Sequence, residues 1–396
     1  MFAILRTQRG FSLVELLTVM VIFTVLIVAI GTAFQRILPV ALKSTKTAET
    51  NISGIVGLEL LRADLESAGY GLPWSFSDAI VYNEAAQLPG SALNDNGRVY
   101  TDPTQNNIPR PIATLNEYTG AALGIFPNTD VLTVRSLSVA ANATSRKWTY
   151  MESGALDSRT WSEENLEPSD RVIAIQPIKN FEQSRELVVN AGTWTSTFAS
   201  YKSAIGTPTT YSVAEGKSDA YIIYGVDGGT PLSMPFNRAD FFVRPPNEAR
   251  NLPQRCNPQS GILYKNIVTQ DGGAYTSLPL FECVLDMQVV FDLLVPGTAA
   301  TIRADSLDGL SPQNIRDRVK AVRVFILAHE GGPDKDYSYP TTDSTGDTGT
   351  IVVGPGPGTG KIYNFNKTVN PNWRKYRWRV YQIVARPSNL TGNITR

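Results

Sequence analysis

Arg9-Gly10-Phe11-Ser12-Leu13-Val14-Glu15-Leu16-Leu17 opens an apolar run that continues to about Phe34. Between Leu16 and Ile30 the only side chains that are not apolar are Thr18 and Thr24. A run of this length meets the ~20 residues that a helix needs to cross a ~30 Å hydrocarbon core, so 11–34 reads as a membrane helix. Glu15 stands near its start, where an isolated charge costs roughly 2.5 to 3.5 kcal/mol and therefore calls for a partner. The leader 1–10 carries Arg6 and Arg9 as its only charges, which hold it on the cytoplasmic side and turn everything downstream outward. A secretory signal has a shorter apolar core, about 7 to 15 residues, before a small-residue cleavage site. Ala29-Ile30-Gly31 fits that poorly. A plain signal anchor explains the length, but not Gly-Phe followed by an acid.

The helix does not stop at the membrane. Leu58, Leu61, Leu65 and Ala68 recur at helical spacing and share one face, while Glu59, Arg62 and Glu66 pair along the flank. Gly69-Tyr70-Gly71-Leu72-Pro73 is a strong stop. An amphipathic half over 35–69 is therefore expected. One helix from 11 to 68 would rise about 87 Å, with bends at Gly31 and Pro39; two helices that meet near Pro39 are the alternative.

Beyond the stop, 70–396 is expected to form a β-rich head. The stretch 70–128 is rich in Pro, Gly, Asn and Asp and reads as irregular surface structure. Asn94-Asp95-Asn96-Gly97 reads as a turn, since the remaining ligands of a calcium loop are absent. Strand-like segments come next at 131–139, 171–175, 185–189, 221–226, 240–244, 261–265, 281–291, 319–328 and 376–385. A short helix starts at Ser311-Pro312, with Ser as cap. Helices do not alternate regularly with strands, so the fold class is α+β: a long amino-terminal helix, then a large, mostly antiparallel sheet with long loop insertions. Two lobes, or one core with large insertions, would accommodate this length. The span 334–360, which includes Gly354-Pro355-Gly356-Pro357-Gly358, reads as a mobile exposed insert.

Gly10-Phe11-Ser12-Leu13-Val14-Glu15-Leu16-Leu17 closely resembles the class III signal of type IV pilins and pseudopilins. The resemblance implies cleavage by a prepilin peptidase between Gly10 and Phe11, N-methylation of Phe11, and a Glu15 that meets the Phe11 amine of a neighbouring subunit. That pairing supplies the counter-charge which burial in lipid demands. Leu61-Arg62-Ala63-Asp64-Leu65-Glu66-Ser67-Ala68-Gly69-Tyr70-Gly71 and Asp130-Val131-Leu132-Thr133-Val134-Arg135 resemble the PilW-like family of minor pilins, as do segments 281–289 and 319–324. This implies a subunit that primes type IV pilus assembly and sits in the tip complex. Its partners would be other minor pilins, the major pilin, the inner-membrane assembly platform and a large tip adhesin. The precursor would cross the inner membrane once, with its head in the periplasm, and reach the cell surface at the pilus tip. The alternatives are a minor pseudopilin of a type II secretion system, or a tip subunit that binds DNA or a surface.

In an oxidising compartment Cys256 and Cys283, the only two cysteines, are expected to pair, contributing about 3.5 kcal/mol by loop closure. Lys plus Arg (36) equals Asp plus Glu (36), so no long-range field names a partner. Arg374, Lys375, Arg377 and Arg379 interleave with Trp373, Tyr376, Trp378 and Tyr381, a mixture that can hold single-stranded nucleic acid. Strand alternation instead puts Tyr376, Trp378 and Val380 on one face and Arg377 and Arg379 on the other, and this half-buried strand is the favoured reading. Asp334, Asp336, Asp343 and Asp347 are weak calcium candidates; no other cofactor is expected. Catalysis has no support in the motifs. His329 is the sole histidine, so a zinc-protease pair is impossible, and Tyr211 replaces the first glycine of a phosphate loop before Gly216-Lys217-Ser218.

Overall fold

In the computed structural model the described residues are 13–390, apart from 141, 153–157, 162–164, 178–184, 190–191, 200–219 and 357; the side chains at 29, 31–53, 152, 220 and 249 are likewise outside the description. Helix α1 runs from Leu13 to Glu66 as one element of 54 residues, about 81 Å at 1.5 Å per residue. It continues past Gly31 and Pro39, so the two-helix alternative is not taken.

The strands are β1 Ser75–Phe76, β2 Ile112–Tyr118, β3 Thr129–Arg135, β4 Trp148–Glu152, β5 Arg171–Pro177, β6 Arg185–Leu187, β7 Ser196–Thr197 and β8 Ala220–Asp227. They continue as β9 Arg238–Arg244, β10 Gly261–Val268, β11 Tyr275–Leu294, β12 Thr301–Ala304, β13 Val319–Glu330, β14 Thr348–Gly356, β15 Thr359–Asn366 and β16 Arg377–Ala385. A second helix, α2, spans Pro312–Arg318; Ser311 caps it by accepting from the Asn314 N–H at 3.2 Å. All nine expected strand segments are strands, although 131–139 splits into β3 and a 3-10 turn at Leu137–Val139.

Eight strands form the main sheet, in the order β16-β13-β11-β10-β9-β3-β2 with β12 beside β11, and every pair in it is antiparallel. A second sheet runs β1-β6-β5-β8-β4 with β7 on β5, and only β1 and β6 pair in parallel. The fold is thus α+β with a large, mostly antiparallel sheet, as its composition implies.

The end of α1 lies on one face of the main sheet. Leu61, Leu65 and Ala68 are fully buried there against Phe241, Phe281 and Val324, and each buried leucine is worth about 1.5 to 3 kcal/mol. Close approach depends on Gly57, where a Cβ would stand 1.9 Å from the Leu280 carbonyl oxygen. On the flank, Arg62 reaches Glu66 at 2.9 Å and Glu59 at 3.9 Å. Gly69 then turns the chain at φ 81°, a left-handed conformation that side chains resist. The carboxyl-terminal segment covers the helix end: Ser388 donates its N–H and hydroxyl to the Glu66 carbonyl at 3.1 and 3.2 Å, and so satisfies an acceptor that the helix leaves open.

Two expectations are corrected. The stretch 70–128 is largely irregular and partly exposed, but it is not all surface: it holds β2 and buries Leu72, Tyr82, Leu93 and Ile108. The span 334–360 is an exposed insert only in its first half, because from Thr348 it builds β14 and most of the β14–β15 hairpin. That hairpin covers the other face of the main sheet, where Val353 and Phe365 pack with Trp373 and Trp378. Composition misled in both places, since Gly and Pro interrupt a strand pattern without preventing the neighbouring apolar residues from being buried.

Candidate functional site

Gly10 and Phe11, the expected processing pair, lie outside the described residues. In the first turns of α1, from Leu13 to Val28, every side chain is exposed, Leu13 by 79% and Phe23 by 62%. The two threonines in the run face their own backbone: the Thr18 hydroxyl donates to the Glu15 carbonyl at 2.9 Å and the Thr24 hydroxyl to that of Met20 at 2.8 Å. With those hydroxyls satisfied internally, the surface offered outward is apolar. Glu15 lies in the first turn and is exposed.

Among the described residues no helix is long and apolar enough to cross a membrane. Of the expected span 11–34, residues 11–12 and the side chains at 29 and 31–34 lie outside the description. Its described exposed side chains run without a break from 13 to 28, a rise of about 24 Å along a helix that continues to Glu66. A contiguous apolar surface of this kind is nevertheless rare on a soluble monomer and marks contact with another protein or a lipid.

At its far end the stem is fixed to the head by the Leu61 and Leu65 packing, by the tail at Ser388, and by Lys265, which meets Asp64 at 2.7 Å. The exposed stem and the head are therefore joined through one continuous helix.

Behind this junction lies a group that the sequence did not reveal. Glu84, Asp95 and Asp240 meet Arg110, Arg135 and Arg238 with all six side chains buried. Arg135 bonds Glu84 at 2.7 Å and Asp95 at 3.1 Å, Arg110 bonds Asp95 at 2.6 Å, and Arg238 bonds Glu84 at 2.8 Å and Asp240 at 2.9 Å. Three cations face three anions, so the cluster is neutral. Backbone groups complete it: the Asp95 N–H donates to Glu84 at 2.6 Å, and Leu93 and Gly90 carbonyls accept from Arg135 and Arg238. Burial opposes ionisation of Glu84, but Arg135 and Arg238 outweigh it and hold its carboxyl below the usual range. The cluster clamps the 84–110 segment onto β3 and β9. The only trace of it in the sequence is that Arg135, Arg238 and Asp240 occupy strand positions, where charge is rare.

The other expected sites are placed individually. Cys256 and Cys283 form a disulfide, Cα to Cα 4.9 Å. The next residue, Asn257, donates its N–H to His329 Nε2 at 2.8 Å, so His329 Nδ1–H donates to the Gly331 carbonyl at 3.1 Å. Burial pushes His329 down to about 3, which leaves it neutral and structural. The calcium candidates do not converge. Asp334 accepts from Arg377 at 3.0 Å, Asp343 accepts from the Thr348 N–H and hydroxyl, and Asp347 pairs with Lys367 at 3.0 Å. Among the described residues no three His, Cys, Asp or Glu are grouped to hold a metal. Asn96 and Gly97 form a turn, as their residue types imply, and Asp95 points inward to the arginines. Tyr376 and Trp378 are buried against His329, while Arg377 and Arg379 face outward and pair with Asp334 and Glu330. The alternation along β16 is that of a strand buried on one face, and its aromatic rings are not open to stack on bases. Gly216-Lys217-Ser218 is outside the described residues.

The profile of the family described as "Prokaryotic N-terminal methylation motif" matches residues 5–31. This class III signal supports a type IV pilin-like protein. It covers the residues expected to be processed and the exposed apolar turns after them, and it suggests a membrane-anchored pilin precursor. Comparison with curated proteins and with solved structures gives no match. The pilin-like character therefore rests on the stem, and the head supplies no relative to refine it.

Proposed function

We propose that this chain is a minor pilin of the PilW-like kind, which primes type IV pilus assembly and takes its place in the tip complex. The observation that carries this reading is the match over 5–31, on a helix whose exposed apolar turns lead without a break into a packed head. In this scheme the leader 1–10 is removed between Gly10 and Phe11 by prepilin peptidase, and Phe11 is N-methylated. The 11–34 half rests in the inner membrane, then packs against other minor pilins and the major pilin on the assembly platform, while 35–69 carries the 70–396 head in the periplasm. Glu15 is matched by the cationic Phe11 amine of a neighbour, which removes the cost of its charge. The Cys256–Cys283 disulfide suits an oxidising compartment. The role is structural rather than enzymatic, and a tip adhesin is the natural cargo of the head.

The test is an intact-mass measurement on assembled filaments. The expected species begins at a methylated Phe11, and Gly10→Ala should keep the chain out of filaments. A full-length amino terminus in assembled material overturns the reading. Co-purification separates this role from a type II secretion pseudopilin: pilus components are expected, and secretion components would redirect the assignment.

A further inference from the structure

Among the described residues of the head four arginines are buried: Arg110, Arg135, Arg238 and Arg316. The first three are matched by carboxylates within the six-residue cluster. Arg316, on α2, is the exception. It is 4% exposed, and its Nη1 is buried with no hydrogen-bond partner. Its neighbour Asp317 is exposed on the same helix.

Arg316 lies over Trp74, its Cζ 4.8 Å from the ring centroid, and Arg185 Cζ is also 4.8 Å from that centroid. Two guanidinium groups that share one ring are within about 10 Å of each other and repel. Arg185, on β6, is steadied by the Gly69 carbonyl at 3.2 Å, at the negative end of α1. Arg316 has the aromatic face and the charge of exposed Asp317, and a cation–π contact does not by itself offset the loss of water around a buried cation. Burial pushes Arg316 down to about 10; Asp317 opposes this and Arg185 adds to it. Tyr70 and Tyr224, edge to face at 5.7 Å, flank the Arg185 side. The three segments that meet here are the turn after α1, the second sheet through β6, and α2 beside the main sheet. Against two guanidinium groups this place sets the charge of Asp317, which is exposed on α2.

We propose that Arg185, Arg316 and Trp74 form an oxyanion-binding site whose ligand is a dianionic group of the phosphate class. Two cations call for about two negative charges, which a single carboxylate does not supply, and the forked N–H groups of a guanidinium match paired phosphate oxygens. The bound anion would tie β6 to α2 and so hold the second sheet against the main one. This site is independent of the pilin reading.

The test is titration calorimetry of the full chain in detergent, with inorganic phosphate compared against chloride at matched ionic strength. Saturable binding is expected, with a higher melting temperature in phosphate. Arg316→Met should weaken it about tenfold or more, whereas Arg377→Met, which alters a surface pair, should leave it unchanged. If Arg316→Met does not fold, Arg185→Met serves in its place with the same expectation. Parallel titration with glycerol phosphate tells a free anion from one carried on an ester, and binding of either supports the site. No heat beyond that of chloride overturns the proposal, as does phosphate binding that persists unchanged in both arginine variants.

Discussion

Residues 13–28 and residues 84–110 invert the usual rule of inside and outside in opposite directions. The first stretch is apolar and exposed along its whole length; the second carries Glu84, Asp95 and Arg110 into the interior. The difference lies in where each stretch finds its partners. The buried charges are completed within the chain, by Arg135 and Arg238 on β3 and β9, so their cost is already met when the head folds. The apolar stem has no such cover among the described residues, and its completion has to come from lipid or from other subunits. Head stability and assembly should therefore respond to different mutations.

The sharpest break of this contrast is Glu84→Gln. It leaves Arg135 and Arg238 short of an anion, and an expected loss of about 3–5 kcal/mol would appear as a lower urea midpoint; an unchanged midpoint would show that the cluster does not hold the 84–110 segment. Next comes the helix where it meets the head. Leu61→Ala opens a cavity in the main core at a cost of about 2–4 kcal/mol by the same measurement. Gly57→Ala, which pushes a methyl toward the Leu280 carbonyl, should cost about 1–3 kcal/mol.

Acid sharpens the comparison from the side of the head. His329 is lowered in the fold to about 3 from 6.5, so the unfolded chain binds the extra proton first. Its contribution is complete above pH 6.5 and is lost as pH falls toward 3, by up to about 1.4 kcal/mol per pH unit. Glu84, also held below its ordinary value, acts in the same direction once pH falls below its unfolded value. Denaturation midpoints across this window should decline with acid, and His329→Gln should flatten the upper part of the slope.

The smallest effect on the head should come from the stem. Leu17→Ala is expected to leave the urea midpoint within about 0.5 kcal/mol while reducing the chain's incorporation into filaments. A large loss of head stability would mean that the stem folds back onto the head, and the two halves of α1 would then not be independent.

The helical face Leu58, Leu61, Leu65 and Ala68 was legible because a period of 3.6 survives in the sequence whatever the face packs on. The Arg62 pairs, the Ser311 cap and the alternation of Tyr376 and Trp378 were legible for the same reason, since each depends on neighbours a few residues away. The 70–128 and 334–360 stretches were not. Their burial depends on contacts across the fold: Glu84 finds Arg238 and the β14–β15 hairpin finds Trp373. No local pattern encodes those distances.

By itself, then, the sequence determined the processing signal, the apolar stem, the long helix and most strand positions, all set by local chemistry and period. Tertiary structure alone decided that Gly57 sits under the Leu280 carbonyl, that three cations and three anions meet in the interior, and that Arg316 is buried on Trp74 beside Arg185. The physical reason is that a buried charge is tolerated only where distant parts of the chain bring its partner, and a linear reading cannot show which parts converge.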